Sequence, residues 1–353
     1  MINFDKKVLK IIILFICLLC IFCFQKTNYI SIKNTITIFL ESVMPSLFPF
    51  ILFTNIIILS DLSKALIKLS KKYGYLIYAG IIGFICGYPM GAKATYSLYV
   101  ENKITKKQAL FLMSFANNCN PIFIISTIGI CIFNNIYIGI ILLFSHYIAA
   151  LLICIINFTH NDIIHDNTQI SNSFSKNIDK KLHKSMFEIV DLSIKSTFIT
   201  LGNILAFIII FNLIFSIIET LLIKLNISNN IIYSISGIFE VTNGSRLIYL
   251  NTDFDFNIII SLISFMLSFS GFSIIFQIYS CVYKIPIKLW HIIKYKSIQG
   301  VLSSIITYFI LIIININASQ NINLLHFNAP SYFLIIVSSL FILVCSIKKV
   351  TRK

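Results

Sequence analysis

The chain has 353 residues, of which 58% are hydrophobic and only 12% are charged. A soluble domain cannot bury that much apolar surface, so the composition excludes a soluble globular protein and indicates an all-α polytopic membrane protein. The net charge of +15 does not indicate a nucleic-acid partner. The basic residues cluster in short loops between apolar segments, where they set the orientation in the bilayer.

Apolar segments follow one another along most of the chain and predict about eight spanning helices with two shorter insertions. They lie near residues 8–24, 34–60, 75–98, 108–133, 136–158, 195–220, 230–250, 256–281, 297–317 and 331–347. We expect residues 1–33 to form a retained anchor helix, because the first segment lacks a small-x-small cleavage site. The polar stretch 159–194 is predicted to be a cytoplasmic linker, and 297–353 to hold the C-terminal helices.

Two of these segments are interrupted by residues that break helices. The sequence GYPMG interrupts 75–98, and TNG interrupts 230–250. If both segments are re-entrant hairpins, most basic residues, including the run from Lys284 to Lys296, fall on the cytoplasmic side. If both crossed the membrane, the cluster Lys103–Lys107 would move outside. We therefore predict two hairpins, with arms about half a bilayer long, and cytoplasmic termini.

The two halves of the chain resemble each other at an offset of 153 or 154 residues. SVMPSLFPFILF aligns with STFITLGNILAF, GAK with GSR, and MSFANNCNP with LSFSGFSII. In the predicted topology the first hairpin opens inward and the second outward. The halves, 34–158 and 195–296, are therefore predicted to be inverted repeats, which is the architecture of many secondary transporters.

Small and polar residues cluster at both hairpin breaks and at a second break that follows each hairpin. Pro121 marks one of these second breaks, because proline removes an amide donor and disfavours helix before it. Inverted-repeat transporters bind substrate near the midplane, where half-helix N-termini and unwound backbone converge. The predicted substrate-binding residues are Gly87, Tyr88, Pro89, Gly91, Lys93, Asn117, Asn118, Asn120, Glu240, Thr242, Asn243, Gly244, Arg246, Gly271, Ser273 and Gln277.

Lys93 and Arg246 occupy matched repeat positions at membrane depth, where a charge costs on the order of 3 kcal/mol. One explanation is that each side chain snorkels to the nearer interface. The matched pair favours another, in which Arg246 grips one carboxylate through two hydrogen bonds and Lys93 acts as a point charge on a second. For Glu240 three roles stay open: an ion pair with Arg246, transport of a coupling proton, or lining of the pocket.

No catalytic or metal-binding pattern is recognisable in the sequence. The six histidines are expected in loops or near segment ends, as with His160 and His291. Cys17, Cys20 and Cys23 lie in an apolar segment without a histidine or acid beside them. We therefore expect neither an enzyme nor a resident metal or cofactor.

Two stretches resemble the sporulation integral membrane protein family of the YlbJ type, which belongs to the wider nucleoside-recognition, or Gate-domain, group. They are GFICGYPMGAKATYSLYVENKITKKQALFLMSFANNCNPIFIISTIG and GIFEVTNGSRL with the later SFSGFSIIFQIYS. The Gly-Tyr-Pro-x-Gly-Ala-Lys hairpin followed by Phe-Ala-Asn-Asn-x-x-Pro is the specific part. The resemblance extends over about residues 35–320.

This resemblance implies a protein of endospore formation that moves dipicolinic acid from the mother cell across the outer forespore membrane. The expected partners are then a small planar dianion and the lipid bilayer, with no nucleic acid. Related gate-type carriers suggest a homo-oligomer. Two alternatives stay open: a nucleoside or nucleobase carrier, and a non-transporting membrane scaffold for spore-envelope assembly.

Overall fold

The computed structural model describes residues 22–60, 74–160 and 185–314, together with the single positions 15 and 67. Within these ranges every regular element is a helix, as predicted. The helices are α1 (Gln25–Leu59), α2 (Gly74–Ile85), α3 (Met90–Val100), α4 (Lys106–Phe115), α5 (Phe123–Ile132), α6 (Ile136–His160), α7 (Met186–Lys224), α8 (Asn229–Phe239), α9 (Val241–Asn251), α10 (Phe256–Phe269), α11 (Gly271–Val282) and α12 (Leu289–Ile314). The segment predicted near 331–347, nearly all of that near 8–24 and most of the linker lie outside the described residues.

Five helical runs among the described residues are long and apolar enough to cross a membrane. They are α1, α6, α7, α12 and the α10–α11 run. The other helices are short: α2 has 12 residues and α3 has 11, which at 1.5 Å per residue is about half the hydrocarbon thickness. These lengths support a polytopic membrane protein, and the count of about eight spanning helices stays a prediction.

Three helices begin earlier than the hydropathy pattern predicts. α1 runs without a break past residue 33, where the pattern places a boundary between an anchor helix and the first repeat. α7 begins at Met186 and α12 at Leu289, each several residues before the apolar segment. The added turns contain polar residues, which lower the mean hydropathy so that these turns are not counted as part of a spanning segment. Their side chains still find partners on the helix: the Lys195 ammonium donates to Asp191 Oδ2 at 2.7 Å.

Each interrupted segment is a pair of short helices that pack side by side, α2 with α3 and α8 with α9. Glycines allow this close approach. A Cβ atom at Gly91 would lie 3.0 Å from Gly83 Cα, and one at Gly244 would lie 2.3 Å from Gly237 Cα. The helix pairs therefore have the form of the predicted hairpins, and their re-entry into the membrane stays a prediction.

The helices that follow the hairpins are broken as well. Residues 116–120 separate α4 from α5, and the Asn120 Oδ1 atom accepts the backbone N–H groups two and three residues on, at 2.8 and 3.3 Å. Ser270 separates α10 from α11. Ser270 and Gly271 have φ values of +75° and +61°, in the left-handed region that ends a helix.

The order of helices is the same in the two halves. Each half has a long helix (α1, α7), a hairpin pair (α2–α3, α8–α9), a broken helix (α4–α5, α10–α11) and a second long helix (α6, α12). The corresponding long helices contact each other, α1 with α7 and α6 with α12. This order agrees with the predicted duplication, and both the duplication and the inversion of one half relative to the membrane stay predictions.

Candidate functional site

A cavity lies where the hairpin tips and helix breaks of both halves meet. It is small in this structure, with a volume of about 20 Å³, and it is partly open to the outside. Apolar side chains of α1 and α7 form one side of it, among them Val43, Leu47, Ile204 and Phe207. The polar part of the wall consists of Tyr88, Asn120, Glu240, Thr242, Ser273 and Gln277. All six belong to the predicted site, and they come from both halves of the chain.

Two polar groups in this wall have no hydrogen-bond partner among the described residues. They are the Ser273 hydroxyl and the side-chain NH2 of Gln277. Both residues are buried, with 1% and 3% of their surface exposed. Leaving a buried polar group unpaired costs about 1–3 kcal/mol, so such groups are usually satisfied. A ligand in the cavity is the natural partner for both.

Glu240 closes the second hairpin tip. Its carboxylate accepts the backbone N–H groups of Thr242 and Asn243, at 2.9 and 2.7 Å, and so caps α9. The helix dipole favours a negative charge at this end. Arg246 is exposed, and no ion pair joins it to Glu240. Of the three roles considered for Glu240, the geometry shows pocket lining, the ion pair is not formed, and proton transport stays a prediction.

The first hairpin tip is held by the break that follows it. The backbone N–H of Tyr88 donates to Asn118 O at 2.8 Å, and the Tyr88 hydroxyl lies 3.3 Å from Cys119 Sγ. Gly87 has a φ of +75°, and a Cβ atom there would lie 2.8 Å from Asn120 N. The tip and the break therefore form one packed unit, which fixes the position of the Tyr88 ring in the cavity wall.

Lys93 and Arg246 do not meet in this structure, and neither lines the cavity. Lys93 is half-buried and donates to Thr200 Oγ1 at 2.5 Å, which links the first hairpin to α7. Arg246 is exposed and is not among the lining residues. Anion binding by this pair stays a prediction that the geometry does not support directly.

The remaining predicted residues shape the backbone around the cavity. Pro89 precedes α3, and Gly91 and Gly244 lie where the hairpin helices touch. Asn243 lines a smaller neighbouring cavity, together with Glu240. Gly271 begins α11, and Asn117 is not among the residues that line the cavity.

A buried polar network lies directly behind the first break, and the hydropathy pattern does not reveal it. Lys296 is predicted in a cytoplasmic loop, but it lies within α12 with only 2% of its surface exposed. Its ammonium donates to Asn117 O and, at 2.9 Å, to Gln299 Oε1. Gln299 in turn donates to Asn118 Oδ1 at 3.0 Å. The loop assignment fails because this helix begins earlier than its apolar segment.

His146 also contradicts the prediction that histidines lie in loops or near segment ends. It is fully buried within α6, where its Nε2 accepts the backbone N–H of Cys119 at 3.0 Å. An accepting Nε2 requires the ring hydrogen on Nδ1, which lies 2.7 Å from Ser268 Oγ. His146 therefore joins the first break to the second half. His146 and Gln299 are 153 residues apart, so the repeat alignment extended by one helix would have paired them.

No protein-family model and no solved structure matches the chain. A sequence relative does match: the sporulation integral membrane protein YlbJ of Bacillus subtilis (strain 168) is 24% identical over 313 residues, which cover 79% of this chain and 76% of the relative. This match confirms the resemblance carried by the hairpin and break motifs. The chain is therefore similar, over most of its length, to a sporulation integral membrane protein of the YlbJ type.

Proposed function

We propose that this protein is a membrane transporter that acts in sporulation and moves a small solute through the cavity between the hairpin tips. One observation carries the proposal. The cavity takes polar groups from both halves, and two of its buried donors, on Ser273 and Gln277, are unpaired. A site shared between two hairpins changes its access when one hairpin moves relative to the other, which is what alternating access requires.

The architecture that we propose is a pair of inverted repeats with re-entrant hairpins. The repeated order of helices and the glycine contacts in both hairpins support the duplication. The basic residues of Lys103–Lys107 support opposite orientations, because a full crossing of the first hairpin would place them outside. Irregular backbone at membrane depth is tolerated where it is packed or lines a cavity, and both breaks meet this condition.

The substrate that we propose is dipicolinic acid, carried from the mother cell across the outer forespore membrane. The similarity to a sporulation membrane protein supports the setting. The aromatic ring would pack against Tyr88 and Phe123 in the cavity wall, and the Ser273 and Gln277 donors would bind carboxylate oxygens. Hydrogen bonds to charged groups are worth about 1.5–3 kcal/mol each. Two donors that converge on one site would therefore stabilise a bound planar dianion.

A nucleoside or nucleobase carrier is a second candidate, and one observation favours it. The residues that line the cavity include a carboxylate, Glu240, and no basic side chain. A wall of this composition suits an uncharged ligand with hydroxyl or amide groups, which Glu240 and Gln277 would bind. The candidate predicts that uridine or uracil competes with dipicolinate and that removal of lysines changes uptake little.

Uptake by the purified protein in liposomes tests both candidates. We expect uptake of labelled dipicolinate to fall about tenfold or more in Ser273→Ala and in Gln277→Leu, because each loses a hydrogen bond to a charged group. Ser280→Ala is the matched control, since Ser280 lies on the same helix and is exposed. Uptake of uridine without dipicolinate would favour the second candidate. No uptake of either solute would refute transport and favour a scaffold.

A further inference from the structure

Lys296 is a cation in the interior of the helical bundle without an acidic partner. Its side chain touches no Asp or Glu among the described residues, and its two hydrogen bonds go to the Asn117 and Gln299 carbonyl oxygens. Both partners are acceptors, so the Lys296 nitrogen donates to each of them, and neither supplies a negative charge. Buried lysines in proteins are usually paired, which makes this arrangement unusual.

The position of Lys296 costs free energy that helix packing alone does not require. An apolar side chain of the same length would fill the same space, and charged residues inside membrane proteins mark substrate and ion pathways more often than packing sites. The neighbouring His146 is a neutral ring by its hydrogen bonds, so it adds no second positive charge beside Lys296. In its protonated form Lys296 is therefore a positive charge without a counterion among the described residues.

The first break connects this charge to the cavity. Lys296 binds the carbonyl of Asn117, and Asn120, three residues later, lies in the cavity wall. Three residues of chain span at most about 10 Å. A ligand beside Asn120 is thus within the range over which a unit charge acts through protein of low to moderate dielectric constant.

We propose that Lys296 is the specificity-determining charge that makes the cavity select an anion. This inference rests on the proposed transport function and deepens it, because it explains how a cavity without a basic wall holds a dicarboxylate. Lys296 does not contact the ligand. It raises the electrostatic potential at the cavity from behind the first break, while Ser273 and Gln277 supply the direct hydrogen bonds.

A purely structural role makes a different prediction. A lysine near the carbonyl end of α4 also stabilises the helix dipole and holds the break in place. Loss of that role would disturb the cavity for every ligand alike. Loss of a selecting charge would weaken the binding of a dianion and leave the binding of an uncharged ligand of the same shape nearly unchanged. The ratio of the two affinities therefore separates the roles.

The expected effect follows from Coulomb's law. A unit charge about 10–15 Å from a carboxylate, at an effective dielectric constant of about 20, changes affinity about six- to sixteenfold for each charge on the ligand. For a dicarboxylate the change in the affinity ratio is at least about tenfold. An exposed lysine is screened by water and salt and changes the ratio far less.

The test measures the binding of dipicolinate and of its uncharged diamide to the purified full-length protein. Lys296→Met should lower the dipicolinate-to-diamide affinity ratio at least about tenfold, and Lys296→Arg should keep it. The matched control is Lys294→Met, which removes an exposed charge two residues away on the same helix. Gln299→Glu is a second variant that keeps the lysine but places a carboxylate on its partner atom, and it should lower the ratio as well.

An unchanged ratio in Lys296→Met or, where that variant does not accumulate, in Gln299→Glu would overturn the inference while leaving transport of dipicolinate intact. An equal loss of both affinities would also overturn it and assign Lys296 a structural role. A wild-type protein that binds the diamide but not dipicolinate would instead refute the proposed substrate. The two failures are thus distinguishable in one set of titrations.

Discussion

The glycines at the helix contacts of the two hairpins offer the sharpest prediction of stability. A Cβ atom at Gly91 would lie 1.9 Å from Ala116 O, whereas ordinary contact begins near 3.4 Å. The Gly91→Ala variant must therefore move the hairpin and the first break apart by about 1.5 Å. Because Ala116 precedes the break that carries Asn120, this displacement also moves the cavity wall.

The cost can be worked out from the contact atoms. Overpacking of a well-packed interior costs about 1–3 kcal/mol, and the upper end applies because the opposing atom belongs to the backbone and cannot change rotamer. Alanine gains back about 0.5–1 kcal/mol of helix propensity relative to glycine. We expect Gly91→Ala to lose about 2 kcal/mol of unfolding free energy, which for a chain of this length corresponds to a melting temperature lower by about 3 °C.

Thermal unfolding of the purified protein in detergent measures this loss. Gly202→Ala is the matched control, because Gly202 lies within α7 with nothing within 4 Å of the added Cβ atom. That variant should be as stable as the wild type or slightly more stable. A Gly91→Ala melting temperature equal to that of Gly202→Ala would refute the close approach of the first hairpin to the break.

Three further predictions follow from the topology, the polar network and the predicted anion ligands. Cysteines introduced at 101–107 should react with a membrane-impermeant label only from the cytoplasmic side, and strong labelling from outside would refute the inward-opening hairpin. His146→Ala should cost about 3 kcal/mol, since it leaves the Cys119 N–H without an acceptor and opens a cavity; an unfolding midpoint equal to that of the wild type would contradict this. Lys93→Ala should lower the dipicolinate content of forespores more than Arg246→Ala, because only Lys93 is half-buried. Normal content in both variants, at normal protein levels, would refute anion binding by this pair.

The sequence predicts the hairpins and breaks well because their signals are local. A glycine–proline tip, as at Gly87 and Pro89, interrupts an apolar run in a way that a spanning helix rarely tolerates. The same holds for the polar wall of the cavity. Tyr88, Asn120 and Gln277 stand out as polar residues in apolar surroundings, and all of them lie in the wall.

The polar network behind the first break could not be predicted in the same way. Lys296 follows a run of basic residues that is typical of a cytoplasmic loop, and only the tertiary packing of α12 against α6 buries it.

Joint binding of a dicarboxylate by Lys93 and Arg246 was expected from their matched positions in the repeat. A matched position specifies the element but not the environment of each side chain, which depends on the neighbours of that element. Arg246 is exposed.

The ends of the broken helices explain why the cavity forms between the hairpin tips. Four helices of the two halves begin near it, and each start leaves backbone N–H groups that need acceptors. Two of these starts are closed by the chain itself: Asn120 accepts at the start of the helix that continues into α5, and Glu240 accepts at the start of α9. The starts of α3, after Tyr88, and of α11, before Ser273, have no side-chain cap. In each half, a helix start without a side-chain cap therefore lies close in sequence to a residue of the cavity wall, Tyr88 in the first and Ser273 in the second. The Tyr88 ring and the unpaired donors of Ser273 and Gln277 line the same cavity, so a solute bound there, as we propose, would contact both halves of the chain.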